Sequence, residues 1–154
     1  MTSLSVLIPV GDATEMDPWR RNALAWITAR YQALLPDAEI VFGTSPSGIF
    51  NRSAARNDAF ARSAGDVLLV ADADVVFHRA QIDAGLGLLD NGTPWVICYE
   101  EQRYFALAAE ATERVLSADY AADVPEPVHA RDWEQRLTSW AGLLLVPRPA
   151  WETV

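Results

Sequence analysis

Val67-Leu68-Leu69-Val70-Ala71 is an unbroken apolar run, entered through Gly65-Asp66 and left through Asp72-Ala73-Asp74. A run of that length between turn formers suits a core strand better than a helix. The pair of acids then falls at the carboxyl end of the strand, the edge at which α/β sheets collect their ligands. Two carboxylates flanking one small residue put charge close together, and that charge needs a cation or donors to offset it. A divalent cation held there can in turn hold a diphosphate. The competing account is local: Asp at a strand-to-turn junction hydrogen-bonds its own backbone and needs no ligand.

The rest of the chain alternates strand and helix signals. Leu4 to Val10 is a short apolar, β-branched run closed by Pro9 and Gly11, which predicts an opening core strand. Asp17 before Pro18 reads as a helix N-cap with proline in the first turn. Leu24, Ile27, Tyr31 and Leu34 then repeat at helical spacing until Pro36. A second strand is expected over Glu39 to Phe42, followed by the turn-rich segment Gly43 to Gly48 and a helix from about Ser53 to Ala64 that Gly65 can terminate. Beyond the acid pair the pattern predicts a helix over Ala80 to Leu89, a fourth strand over Trp95 to Tyr99, a helix over Phe105 to Leu116 and a last strand over Leu143 to Val146. Asp119 to Asp132, with its prolines and scattered acids, reads as irregular. This order predicts one α/β domain over residues 1–154, with a mostly parallel sheet between helical layers.

Composition removes several function classes. The formal charge is -9 and no basic block occurs, so the electrostatic footprint of a nucleic-acid or anionic-membrane binder is missing. All 12 basic residues are Arg, which excludes the lysine of a Walker phosphate loop, Schiff-base chemistry and a Ser-Lys dyad. One cysteine, Cys98, sits in an apolar run and reads as an inert buried thiol. The first residues carry neither a basic region nor a long apolar stretch, so the expectation is a cytoplasmic chain without a signal peptide or membrane span.

Taken in order, Ser5-Val6-Leu7-Ile8-Pro9-Val10, Ala55-Arg56-Asn57, Ala64-Gly65-Asp66 and Asp72-Ala73-Asp74 resemble the nucleotide-sugar glycosyltransferases of the GT-A fold, above all family 2-like enzymes and the related galactosyltransferase domains. Gly142 to Arg148 with Trp151 is similar to the segment that precedes a Gly-Gly-Phe-Asp stretch in that family. The resemblance implies a three-layer α/β/α GT-A domain, Rossmann-like, that transfers a sugar from a nucleotide-diphosphate donor to the hydroxyl of a glycan or other acceptor. It implies Mn2+ or Mg2+ at the pair Asp72 and Asp74, with Asp74 the firmer metal ligand and Asp72 contacting ribose or metal-bound water. It implies Pro9 and Val10 at the edge of the base pocket, and Arg52, Arg56 and Asn57 at an anion-binding helix start. An arginine fork beside a helix N-terminus suits an anion physically; a surface ion pair for Arg56 and a turn cap for Asn57 are the plainer alternatives.

Two departures from the family pattern shape the expectation. Gly43-Thr44-Ser45 stands where the family commonly has a base-binding acid, which leaves the nucleotide base open. The catalytic acid that inverting members carry beyond the segment matching Trp151 has no counterpart up to Val154, so the domain reads as short at its C-terminus. Glu100 and Glu101, after the fourth strand, are the candidate bases by topology. His129 is a candidate third metal ligand. His78 is expected to point into the turn after the acid pair. Trp133 and Trp140 are candidates for an acceptor platform or for ordinary packing.

Two other readings compete. One is a catalytically incomplete nucleotide-sugar-binding domain completed by a second copy or a partner chain. The other is a haloacid dehalogenase-type phosphatase, whose Asp-x-Asp normally sits on the opening strand and works with a distal Lys that this chain lacks.

Overall fold

In the computed structural model the described residues are 2–11, 16–46, 49–98, 103–106, 109–120, 131–134 and 142–153. Their elements run β1 (Leu4–Pro9), α1 (Pro18–Leu34), β2 (Glu39–Gly43), α2 (Arg52–Arg62), β3 (Val67–Ala71), α3 (Arg79–Asp90) and β4 (Val96–Ile97). There follow β5 (Arg103–Ala106), α4 (Ala109–Ser117), β6 (Arg131–Glu134), β7 (Leu143–Pro147) and α5 (Arg148–Glu152). Five strands form one sheet in the order β2-β1-β3-β7-β4, while β5 and β6 pair separately. β1 is parallel to both β2 and β3, and β7 is antiparallel to both β3 and β4. The class is therefore α/β with a mixed, mostly parallel sheet, as the strand and helix alternation predicts.

Alternation along the strands divides the core between the two faces of the sheet. Val6, Ile8, Val67, Leu69 and Ala71 pack with Trp26, Ile27 and Tyr31 of α1, Ile82 of α3 and Val115 of α4. Leu7, Leu68 and Val70 pack on the other face with Ala59 and Phe60 of α2 and Trp151 of α5. Leu7, Leu68 and Leu69 are fully buried, each worth roughly 1.5–3 kcal/mol in removed apolar surface.

The helix ends follow local chemistry. Asp17 caps α1 by accepting from the Arg20 amide at 2.9 Å, and Pro18 fits the first turn, where its missing N–H costs nothing. Leu35, forced away from helical geometry by Pro36, closes that helix. Asn51 caps α2 by accepting from the Ala54 amide at 3.0 Å, so this helix starts at Arg52 and Arg56 lies in its second turn.

Four sequence expectations change. Gly65 does not terminate α2, which ends at Arg62 with Ser63 in extended geometry; a Cβ on Gly65 would lie 2.5 Å from Ser5 Oγ, so glycine there permits close approach to β1. The fourth strand contracts to Val96–Ile97. The helix predicted from Phe105 begins at Ala109, because 103–106 pairs with β6 and aromatic residues suit a paired strand. Within the stretch read as irregular, Arg131 and Asp132 belong to β6, which pairs with β5. The last strand, predicted correctly in position, runs antiparallel against β3.

α1 also anchors the stretch that carries the acid pair. Arg30, 1% exposed, donates from Nε and Nη2 to the Phe77 carbonyl at 3.0 and 2.7 Å and from Nη1 to the Tyr120 carbonyl at 2.7 Å. Its guanidinium lies over the rings of Trp26 and Phe77, and Tyr31 stacks on Phe77 at 4.5 Å. The Tyr31 hydroxyl is buried without a hydrogen-bond partner among the described residues, and its pKa is raised by that burial.

Cys98 is buried, and its backbone amide donates to the Leu143 carbonyl at 3.0 Å. Burial pushes its thiol from the ordinary 9.0 up to about 11. Because the folded value is raised, the stability gained by keeping the thiol neutral is complete below the ordinary value and is lost as pH rises through the folded one. Wild type is therefore expected to lose more thermal stability than Cys98→Ala between pH 8 and 11, and native Cys98 to react slowly with thiol reagents. Parallel melting curves for the two proteins across that range would contradict this.

Candidate anion and cation site at the sheet edge

The parallel pairing of β1 with β2 and β3 brings the carboxyl ends of three strands to one edge. Pro9 is buried in register with Gly43, and the Val10 amide donates to the Gly43 carbonyl at 2.8 Å. Asp72 follows β3 directly, and its amide donates to the Gly142 carbonyl at 2.9 Å. Gly142, with φ +93, is in the left-handed region where glycine is favoured.

α2 reaches this edge because its backbone lies against the end of β2. A Cβ built on Gly43 would stand 1.8 Å from the Ala55 carbonyl oxygen, a contact that only glycine allows. Asp58 strengthens the junction by accepting from the Thr44 amide at 2.9 Å and from Arg62 at 2.7 Å, and Arg62 also donates to the Phe42 carbonyl. The Arg62 hydrogen bond, followed by the Thr44 amide, holds the Asp58 carboxyl below its ordinary range.

Arg52 and Arg56 are four residues apart and so share one face of α2. Arg56 Nη2 donates to Asp72 Oδ1 at 2.9 Å, and Arg52 Nη1 lies 3.6 Å from Asp72 Oδ2. The Arg56 pair is mostly shielded, with side-chain exposures of 22% and 15%, whereas Arg52 is 58% exposed. The Arg52 contact is therefore the weaker one. Arg56 Nε is buried and has no hydrogen-bond partner among the described residues. A cavity of about 40 Å3 adjoins Arg56, lined also by Gly142, Leu143 and Trp151.

Asp74 is exposed, and its side chain makes no hydrogen bond or ion pair among the described residues. The acid pair is thus split: arginines offset the charge of Asp72, and Asp74 faces solvent. No family model matches this chain, and no curated protein does.

Among the described residues no group of three or more His, Cys, Asp or Glu side chains is placed to hold a metal. The described residues accordingly do not form an all-protein cage.

The other sequence candidates separate into four groups. Arg52 and Arg56 meet Asp72 in ion pairs, and Pro9 and Val10 lie at the same edge. Asn57 is exposed on α2, and its side chain has no hydrogen-bond partner among the described residues. Glu100, Glu101, His129 and Trp140 lie outside the described residues, as does the side chain of Trp133. His78 precedes the first turn of α3, and its amide donates to Gln81 Oε1 at 2.7 Å.

A second feature was not drawn from the sequence. Val10, Gly11 and Phe42 line a groove of about 450 Å3 together with Arg21, Ala25, Thr28 and Gln32 of α1. Those four recur at helical spacing, but the apolar repeat of Leu24, Ile27 and Tyr31 is the stronger pattern and obscures a face of small and polar residues. No helix among the described residues is long and apolar enough to cross a membrane.

Proposed function

We propose that the edge beyond β1, β2 and β3 binds the diphosphate of a nucleotide sugar together with Mn2+ or Mg2+, and that the chain is a glycosyltransferase of the three-layer GT-A type. The observation that carries this reading is the convergence of Arg52, Arg56 and Asp72, with the open carboxylate of Asp74 two residues on. Guanidinium groups match phosphate oxygens in charge and geometry, and a free carboxylate beside them supplies an oxygen for the cation. When bound, the cation would offset the negative charge that develops on the departing diphosphate. Val10 and Phe42, which line the groove beside α1, offer apolar surface suited to a base or ribose.

Transfer to an acceptor hydroxyl also needs a base, for which Glu100 and Glu101 stand as the sequence candidates. A binding domain that borrows its base from a second chain shares the same donor site. The two readings part on one assay: release of the nucleoside diphosphate from a sugar donor by the isolated chain supports the enzyme, and tight donor binding without release supports the binding domain.

The donor-site assignment makes its own prediction. Asp74→Ala is expected to weaken metal-dependent binding of nucleoside diphosphates by about tenfold or more, the loss of one charged ligand being worth roughly 1.4 kcal/mol or above. The carboxylate is exposed and has no partner among the described residues, so the fold should be unaffected. Calorimetry showing wild-type affinity in that variant would remove Asp74 from the site.

A further inference from the structure

Resting on the donor-site reading, we infer that Asp72 and the two arginines neutralise one another in the ligand-free site, so that cation and diphosphate bind as a coupled pair and Asp72 blocks the diphosphate when the cation is absent. Asp72 Oδ1 is held by Arg56 at 2.9 Å and Oδ2 faces Arg52 at 3.6 Å, so both oxygens lie against guanidinium groups. A cation that takes Asp72 draws it away from Arg56, leaving a mostly shielded guanidinium without its counter-charge. A diphosphate that takes the arginines leaves Asp72, 15% exposed, in the same condition. Either step alone separates a partly desolvated ion pair, which is costly. When both ligands arrive together the pairs are exchanged: carboxylate to cation, guanidinium to phosphate. Arg56 Nε, buried and without a hydrogen-bond partner among the described residues, is a further donor for an incoming oxygen.

Coupling of this kind is reciprocal, so each ligand raises the affinity for the other by the same factor. It also sets the sign of a substitution. If Asp72 served only as a cation ligand, Asp72→Asn would lose affinity in the presence of the cation and leave metal-free affinity unchanged. If Asp72 also blocks the arginines, Asp72→Asn keeps the side-chain shape and releases them, and the diphosphate then binds better without metal.

The test is calorimetric titration of uridine, guanosine and adenosine diphosphates into wild type and Asp72→Asn, once in chelator and once in Mn2+, with melting curves to establish that the variant is folded. The expected result has two parts. In chelator, Asp72→Asn binds the preferred nucleotide about fivefold or more tightly than wild type; in Mn2+, wild type gains by a similar factor and the variant does not. Arg52→Gln, at an exposed position, provides a second reading, with weaker binding of the Mn2+ and diphosphate combination expected. Metal-free affinity in Asp72→Asn equal to or below that of wild type, alongside Mn2+-dependent binding in wild type, overturns the coupling and leaves the donor site standing. Absence of binding to wild type under both conditions overturns the donor-site reading and the coupling with it.

Discussion

Arg30→Ala is expected to lower the unfolding free energy by about 3–5 kcal/mol, the range for leaving buried partners of a charged group unmet. Three hydrogen bonds run from its guanidinium to the carbonyls of Phe77 and Tyr120, and its plane lies over two aromatic rings. Alanine removes those donors and opens a void among Trp26, Tyr31 and Phe77, which neighbouring side chains fill only in part. Arg30→Lys should recover little, since an ammonium cannot reproduce a fork that serves two carbonyls at once. The effect reaches the candidate site because Phe77 closes the stretch that begins at Asp72. Urea unfolding measures the loss, and a change below about 1 kcal/mol would show that the clamp is dispensable.

Gly43→Ala is expected to cost about 3 kcal/mol, at the upper end for overpacking, because the added Cβ meets backbone and not a side chain that can turn aside. Its nearest atom would be the Ala55 carbonyl oxygen at 1.8 Å, so α2 must shift outward or the end of β2 must bend. Arg56 follows Ala55 directly, and the shift carries it away from Asp72. The variant should therefore lose stability and diphosphate affinity together. Gly11→Ala is the matched control, since a Cβ there meets nothing within 4 Å, and it should change stability by less than about 0.5 kcal/mol. Equal melting temperatures for the two variants would contradict the close packing of α2 on β2.

The central sheet was legible because Leu4 to Pro9 and Val67 to Ala71 carry their fold information locally, in apolar runs bounded by turn formers. Asp17 and Pro18 likewise announce the start of α1 through capping chemistry alone. Local signals failed where a distant partner decides the outcome. Phe105 fits a helical pattern until β6 pairs with it, and the direction of β7 depends on a neighbour more than seventy residues earlier. The site was legible to a similar degree. An acid pair after an apolar strand marks the sheet edge, but spacing cannot tell that guanidinium groups would satisfy Asp72 and leave Asp74 in solvent. Arg30 was invisible as an anchor, because nothing in its neighbourhood distinguishes a buried arginine from an exposed helical one. Gly43 read only as the start of a turn, since its close contact is with Ala55 on a separate element.

The most direct test of the donor-site claim is a backbone amide chemical-shift map recorded on addition of Mg2+ with uridine, guanosine or adenosine diphosphate. The account predicts saturable shifts concentrated at Val10, Gly43, Thr44, Arg52, Arg56, Asp72 to Asp74 and Gly142, all around one edge of the sheet. Shifts confined to the opposite edge, around Ser5, Glu39 and Gly65, or no shifts with any of the three nucleotides, would contradict it.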